Sequence, residues 1–392
     1  MPDTSVEAGQ SLPDSFDGAL AVDIAPDQGP AGLELAVAGD YPSRPAVAFN
    51  GASYLVVWYE SVLNAPDPHL IRAQRVSALG DLLGPSILIA GMNASGGIYD
   101  PDVVSDGDGF LVVWRGEEWG GDAAIRAQRI SSGGLLTGAP ITVSISPENK
   151  YEPAVAFGDG VYAVVWREQV SLYYVMGQLV GVDGTLVGTK SQVSTDNGYG
   201  ISVASGASNF LISWYYGSGV YGRMLSSAGT LGGGVLTINN ADGTSQAPEV
   251  VFDGTNFLVN WQDYRNASIS QFDVYGQRVS EVGVLVGSTA GVNVAVSKAA
   301  GHQLFPRPMH CGGRYHVLFR DGRNTPQQVI YRQAITTDGV LEGALVDENT
   351  HFYTGEGAVI HLDVACGGSS ALAVWTEELL GKQRVMGLVF TP

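Results

Sequence analysis

Basic residues are scarce in this 392-residue chain: 20 Lys and Arg stand against 39 Asp and Glu, a formal charge of −19 at pH 7. Such a chain repels phosphates and anionic headgroups within a Debye length, which argues against nucleic acid and an anionic membrane surface as partners. A cationic ligand or a bound calcium ion suits the charge better, and acidity for solubility outside the cell accounts for it most simply. No apolar run nears the ~18 residues of a membrane helix, so membrane insertion is not expected. No charged start followed by an apolar stretch marks an export signal. There is no phosphate-binding glycine motif, no nucleophile elbow and no metalloprotease helix. Helical periodicity is missing throughout.

What is present is a core and a repeat. The chain is 45% hydrophobic and only 15% charged, so it folds despite 53 glycines. YLVVWYE at 54–60 returns as FLVVWRGE at 110–117, and aligning every copy puts an aromatic anchor at Trp58, Trp114, Trp166, Trp214, Trp261, Phe319 and Trp375, at spacings of 47 to 58 residues. Before each anchor comes a short apolar run, often opening with Pro (PAVAF, PDVVS, PEVVF), then a Gly-bearing turn. Proline there suits an edge that can spare its N–H, and the turn makes a tight hairpin into the Trp strand. After the anchor come IRAQRVS (71–77) or its echoes IRAQRIS, VYGRMLS and VYGQRVS, a second turn and a last strand. Four short strands per repeat, seven times over, predict an all-β, seven-bladed propeller of four-stranded antiparallel blades.

The seventh repeat stops at Pro392 without a fourth strand, while GPAGLELAVA at 29–38 has the form of one and precedes the first complete repeat. The N-terminal segment is therefore expected to close the last blade, removing a hydrophobic edge. Residues 1–17, polar, acidic and rich in Pro, Ser and Gly, read as a flexible tether of the kind found behind a removed signal or lipoprotein anchor. Residues 18–392 read as a single propeller.

With YLVVWYE, FLVVWRGEE, YAVVWRE, FLVNWQD and VYGQRVSEVG in place, the chain resembles the bacterial extracellular, lipoprotein-type propellers whose blades carry a motif like YLVVWxD…YGQRVSxxG. The resemblance covers about 30–392. It implies the fold and an extracellular, cell-surface or periplasmic location, and it is poor for function, because such propellers are mostly binding or scaffold modules. If the chain begins as written, the cytoplasm is the alternative.

Just past the anchors stand Glu60, Glu117, Glu168, Asp263, Asp321 and Glu377, with Tyr216 in the fourth repeat. An acid needed in every blade is a folding device, capping a loop or pairing with the next strand's Arg72 or Arg126; the functional alternative is an acidic ring around one mouth of the channel. Tyr59, Trp119, Tyr215, Tyr216 and Tyr264 lie at strand ends or in loops, where rings beside carboxylates make a sugar-stacking surface. The anchors themselves are expected between blades, burying about 150 to 250 Å² each.

Five of six histidines fall in the last two repeats, and His302, His351 and His361, with Tyr353, could hold a metal or serve as a general base. No metal-ligand spacing accompanies them. SDGDG at 105–109 only brushes against a calcium loop. Cys311 and Cys366 each stand in a CGG at equivalent turns of neighbouring blades; a disulfide would suit an exported protein, provided their Cα atoms approach to ~4.4–6.8 Å. The favoured expectation is a monomeric, non-catalytic module, without a required cofactor, that recognises a glycan, peptide or protein through its loops. A polysaccharide- or glycoside-active enzyme, using the carboxylates or the His and Tyr group, is the alternative.

Overall fold

A computed structural model describes residues 32–36, 42–62, 69–92, 97–117, 122–239, 243–266, 271–287, 293–323, 329–343 and 349–392. The 1–17 segment and Trp119 lie outside these residues, and so does the side chain of Glu117. Seven antiparallel sheets surround a common axis. Blade one is Ser43–Phe49, Ser53–Ser61, His69–Ser77 and Leu82–Met92, ordered from the axis outwards. The other inner strands are Ile98–Ser105, Lys150–Gly158, Tyr199–Ser205, Ser245–Phe252, Gln303–Cys311 and Ala358–Cys366. The outer position of blade five is shared by Leu285–Val286 and Val294–Ser297, both paired to the third strand. No helix among the described residues is long and apolar enough to cross a membrane.

Closure follows the sequence expectation. Leu33–Ala36 pairs antiparallel with Lys382–Phe390, Leu33 opposite Gly387 and Glu34 opposite Met386, and so supplies the fourth strand of blade seven. Leu35 enters the seam between blades seven and one with Val47, Val56, Trp58, Leu372, Val374 and Val385.

Each anchor occupies a different seam. Trp58 faces blade seven, and Trp114, Trp166, Trp214, Trp261, Phe319 and Trp375 each face the blade before their own. At about 25 cal/mol per Å², one such ring contributes roughly 4–6 kcal/mol of gross burial energy. The repeated Gln of the third strand has its own task. In Gln74, Gln128, Gln178, Gln277 and Gln333 the amide N–H donates both to the next residue's carbonyl and to an outer-strand carbonyl, as Gln74 does to Arg75 O and Gly84 O at 3.0 and 3.1 Å. It clamps the irregular third-to-outer pairing, and Arg223 replaces it in blade four, donating to Gly233 O.

Candidate functional site

The face where inner strands begin and second strands end is called the top. There the acids after the anchors are not displayed. Glu60, Glu168, Asp263, Asp321 and Glu377 are buried. The indole N–H of Trp58, Trp166 and Trp261 donates to Glu60, Glu168 and Asp263 at 3.1, 2.9 and 2.8 Å. Each acid also holds a cation: Arg72 on Glu60, Lys190 on Glu168, Arg265 on Asp263, Arg323 on Asp321 and Arg384 on Glu377. Lys150, with no exposed surface, adds a second cation 3.7 Å from Glu168. These carboxylates fasten anchor, loop and neighbouring strand, the folding role that their repetition suggested, and the alternative of an acidic ring at the mouth gives way to buried ion pairs.

The histidines of the last blades keep separate company. His302 lies 5.9 Å from the Phe272 ring, His351 sits edge-on to Tyr331 and bonds Thr354, and His361 meets Ser43 across the closing seam. Burial pushes His361 down to about 4. Tyr353 is buried on Trp375, 4.4 Å between ring centres, and burial raises its hydroxyl to about 12. Among the described residues no group of three or more His, Cys, Asp or Glu side chains could hold a metal ion. The SDGDG turn is also committed: Asp106 accepts from the Asp108 and Gly109 N–H groups, the Tyr162 hydroxyl and Arg129. Tyr216 and Tyr264 are exposed, the latter 4.8 Å from Phe272.

The distinctive surface lies elsewhere, on blades one to three. A pocket of about 430 Å³ opens at the top, walled by Tyr59, Tyr99 and Tyr151 and by Arg44, Arg115 and Arg167. Two features of the backbone build it. The residue immediately after each anchor (Tyr59, Arg115, Arg167) pairs across the ladder with the start of the inner strand (Ser43, Tyr99, Tyr151). One residue later, Arg44, Asp100 and Glu152 take left-handed φ values of 53°, 53° and 51°, each directly before a proline. That conformation is costly for non-Gly residues and more so before proline. It recurs at Gly200, Ala247 and Phe305, where the ladder register also slips, so it is the bulge that starts an inner strand. Only in blades one to three does it bring charged side chains to this pocket.

Within the pocket two of the three arginines are ion-paired. Arg44 pairs with Asp100, and Arg167 with Glu152 at 2.9 Å. The other Glu152 oxygen accepts from the Gly200 N–H at 3.0 Å. The Arg115 guanidinium lies over Tyr99 and Tyr151 at 5.3 and 4.8 Å from their centres, cation–π geometry. Tyr59 bonds His69 at 2.8 Å, and both rings pack near Tyr99. The sixth histidine thus belongs to this site. The signal was available: the position after the anchor varies among Tyr, Arg, Gln and Thr while the next is acidic in five of the seven repeats. Binding residues are disproportionately found at variable positions on a constant scaffold.

Below the pocket the axial channel carries a second set of polar groups. Inner strands present an unpaired edge to it, and side chains of the preceding blade cover that edge. Asp363 accepts from Val47 N–H at 2.8 Å, Asp102 from Val155 N–H at 2.8 Å and Ser202 from Val250 N–H at 3.2 Å. Arg307 pairs with Glu249 and donates to Leu362 O at 2.6 Å. Burial, reinforced by the Asp363 charge, raises the Asp102 carboxyl to about 7. Asp363 is raised as well, by burial.

No family model matches the chain, and no curated protein matches it in sequence. Among solved structures it is similar to Trypanosoma rangeli sialidase in complex with the inhibitor DANA, at a TM-score of 0.53 and 10% identity over 92% of this chain and 60% of that one. It is also similar to a protein of unknown function from Dyadobacter fermentans, at a TM-score of 0.52 and 11% identity over 92% and 99%. The chain thus spans about 60% of the sialidase's length. At such identities the likeness concerns the propeller alone, a fold that hosts many activities.

Proposed function

We propose that this chain is a non-catalytic binding module that captures a glycan in the top-face pocket of blades one to three. The observation that carries the reading is the concentration of Tyr59, Tyr99 and Tyr151 with Arg44, Arg115 and Arg167 in one concave site. Tyrosine offers an apolar face and a polar tip, and arginine a rigid fork of donors, the combination that fits a hydroxylated ring. Catalysis by paired carboxyls is the weaker reading. Asp100 and Glu152 are both ion-paired, and neither has the unpaired, apolar surroundings that keep a general acid protonated.

The setting proposed is extracellular, cell-surface or periplasmic, in keeping with the resemblance to bacterial lipoprotein-type propellers. The Cys311–Cys366 disulfide supports it, since such bonds persist in oxidising compartments. The module needs no cofactor and acts as a monomer.

Glycan-array capture by the whole chain tests the reading. Tyr99→Ala and Arg115→Ala should each cut capture at least tenfold with the far-ultraviolet circular dichroism unchanged. Undiminished capture by both variants would remove the pocket from consideration, and release of reducing sugar from a captured polysaccharide would favour the enzyme.

A further inference from the structure

We propose that the ligand is a neutral, linear glycan laid over blades one to four, with the pocket as one subsite of a longer track. This rests on the glycan reading above and extends it, because the aromatic surface does not stop at the pocket wall.

From Tyr151 the rings continue to Tyr173 at 6.2 Å, from Tyr173 to Tyr199 at 5.6 Å and from Tyr199 to Tyr215 at 5.7 Å between centres. At the other end Tyr59 stands 5.4 Å from Tyr99. All of these rings are half-buried, with one edge or face left to solvent. Their steps resemble the advance of one unit along an extended pyranose chain, so successive sugars can each meet a ring. Arg167 binds the track together, its guanidinium 4.6, 5.0 and 5.0 Å from the centres of Tyr151, Tyr173 and Tyr199. A guanidinium held against rings keeps N–H edges directed sideways, where hydroxyls can accept from them.

The track has an end. At the equivalent pair of positions blade five has Gln246 and Gln262 and blade six has Leu304 and Arg320. Those side chains are spent on the ring itself. Gln262 donates to Gln246 and accepts from Phe305 N–H, and Arg320 donates to Ile360 O. At this pair of ladder positions tyrosine rings among the described residues are confined to blades one to four, with exposed Tyr264 and Phe305 standing apart from the row, and an arc crossing four blades fits a chain better than a single terminal sugar.

Neutrality follows from charge. Arg44 and Arg167 are balanced by Asp100 and Glu152, Arg115 is held over the Tyr99 and Tyr151 rings, and the whole chain carries −19, which repels a polyanion.

Titration calorimetry with xylo-, manno- and cello-oligosaccharides from dimer to hexamer, and with oligogalacturonates as the anionic series, tests the proposal. The affinity for one neutral series should rise at least tenfold from dimer to hexamer. Tyr199→Ala should weaken hexamer binding several-fold and leave the dimer unaffected, whereas Tyr99→Ala weakens both. Tyr215→Thr, which installs the residue type of Thr376 at the same position of blade seven, is the conservative second variant should Tyr199→Ala unfold. Length-independent affinity, or full hexamer affinity in Tyr215→Thr with loss in Tyr99→Ala, would leave the pocket as a glycan site and overturn the track. Tighter binding of oligogalacturonates would overturn neutrality. If no oligosaccharide bound the wild-type chain, the track and the glycan reading would fall together.

Discussion

At the scale of single residues, the two positions after each anchor divide the labour. In five of the seven blades the second is an acid that turns inward and is consumed by folding; the first varies, and in blades one to four it lies half-buried at the mouth. Glu168 shows the inward role most clearly, because it accepts the Trp166 indole N–H and faces both Lys150 and Lys190. Replacing it by Gln keeps the shape and removes the counter-charge of a fully buried ammonium. Glu168→Gln should lose about 3 kcal/mol in chemical denaturation, the usual cost of breaking a buried pair from one side. Unchanged stability would mean that Ser146 and the Glu148 carbonyl suffice to hold Lys150. Repetition in the sequence had pointed to the structural role of the acid. What it obscured was the neighbour, since a position holding Tyr, Arg, Arg, Tyr, Gln, Arg and Thr looks like noise until the strands are set around an axis.

At the scale of elements, strand count, blade count and ring closure were legible because each is written as periodicity. Closure is carried by two fasteners at blade seven. One is the strand Leu33–Ala36 on its outer side; the other is the Cys311–Cys366 disulfide, which joins the ends of the inner strands of blades six and seven. Equivalent turns of adjacent blades can stand too far apart for a bridge. At the axis, however, inner strands converge, and these Cα atoms are 5.6 Å apart. Deleting residues 1–38 should lower the melting temperature of the whole ring, while deleting 1–17 should leave it unchanged; equal melting of both variants would refute strand closure. The double change Cys311→Ser, Cys366→Ser opens a loop with a sequence separation of 55, which by chain entropy costs about 4 kcal/mol. The same loss should appear in the wild type under reductant. The histidine group was not legible in this way. Uneven distribution along the chain says only that residues share blades, and in this fold a blade has a top, a bottom, a channel edge and an outer rim.

At the scale of the whole molecule, the channel sets a pH dependence that can be assigned by sign. Asp102 lies at about 7 in the folded chain, against ~3.9 when unfolded, so the native state binds more protons between those values. Stability from this group is full below pH ~4 and declines as pH rises to about 7. Buried His316 and half-buried His361, each held at about 4 against an unfolded ~6.5, act oppositely: their contribution is full above pH ~6.5 and is lost as pH falls toward 4. The two effects offset each other in acid, and above pH 6.5 only the cost of ionising Asp102 and its neighbour Asp363 remains. Asp102→Asn isolates that cost, because an amide oxygen can still accept the Val155 N–H while the charge in the channel is gone. The variant should match the wild type at pH 4 and exceed it at pH 8 by about 2–4 kcal/mol, the difference growing through the interval and then levelling. A constant difference at both pH values would show that the edge cap, and not the ionisation, is what Asp102 contributes. Side chains that cap the inner-strand edges along the axis hold neighbouring blades together, and the aromatic arc of the proposed site lies above them on blades one to four.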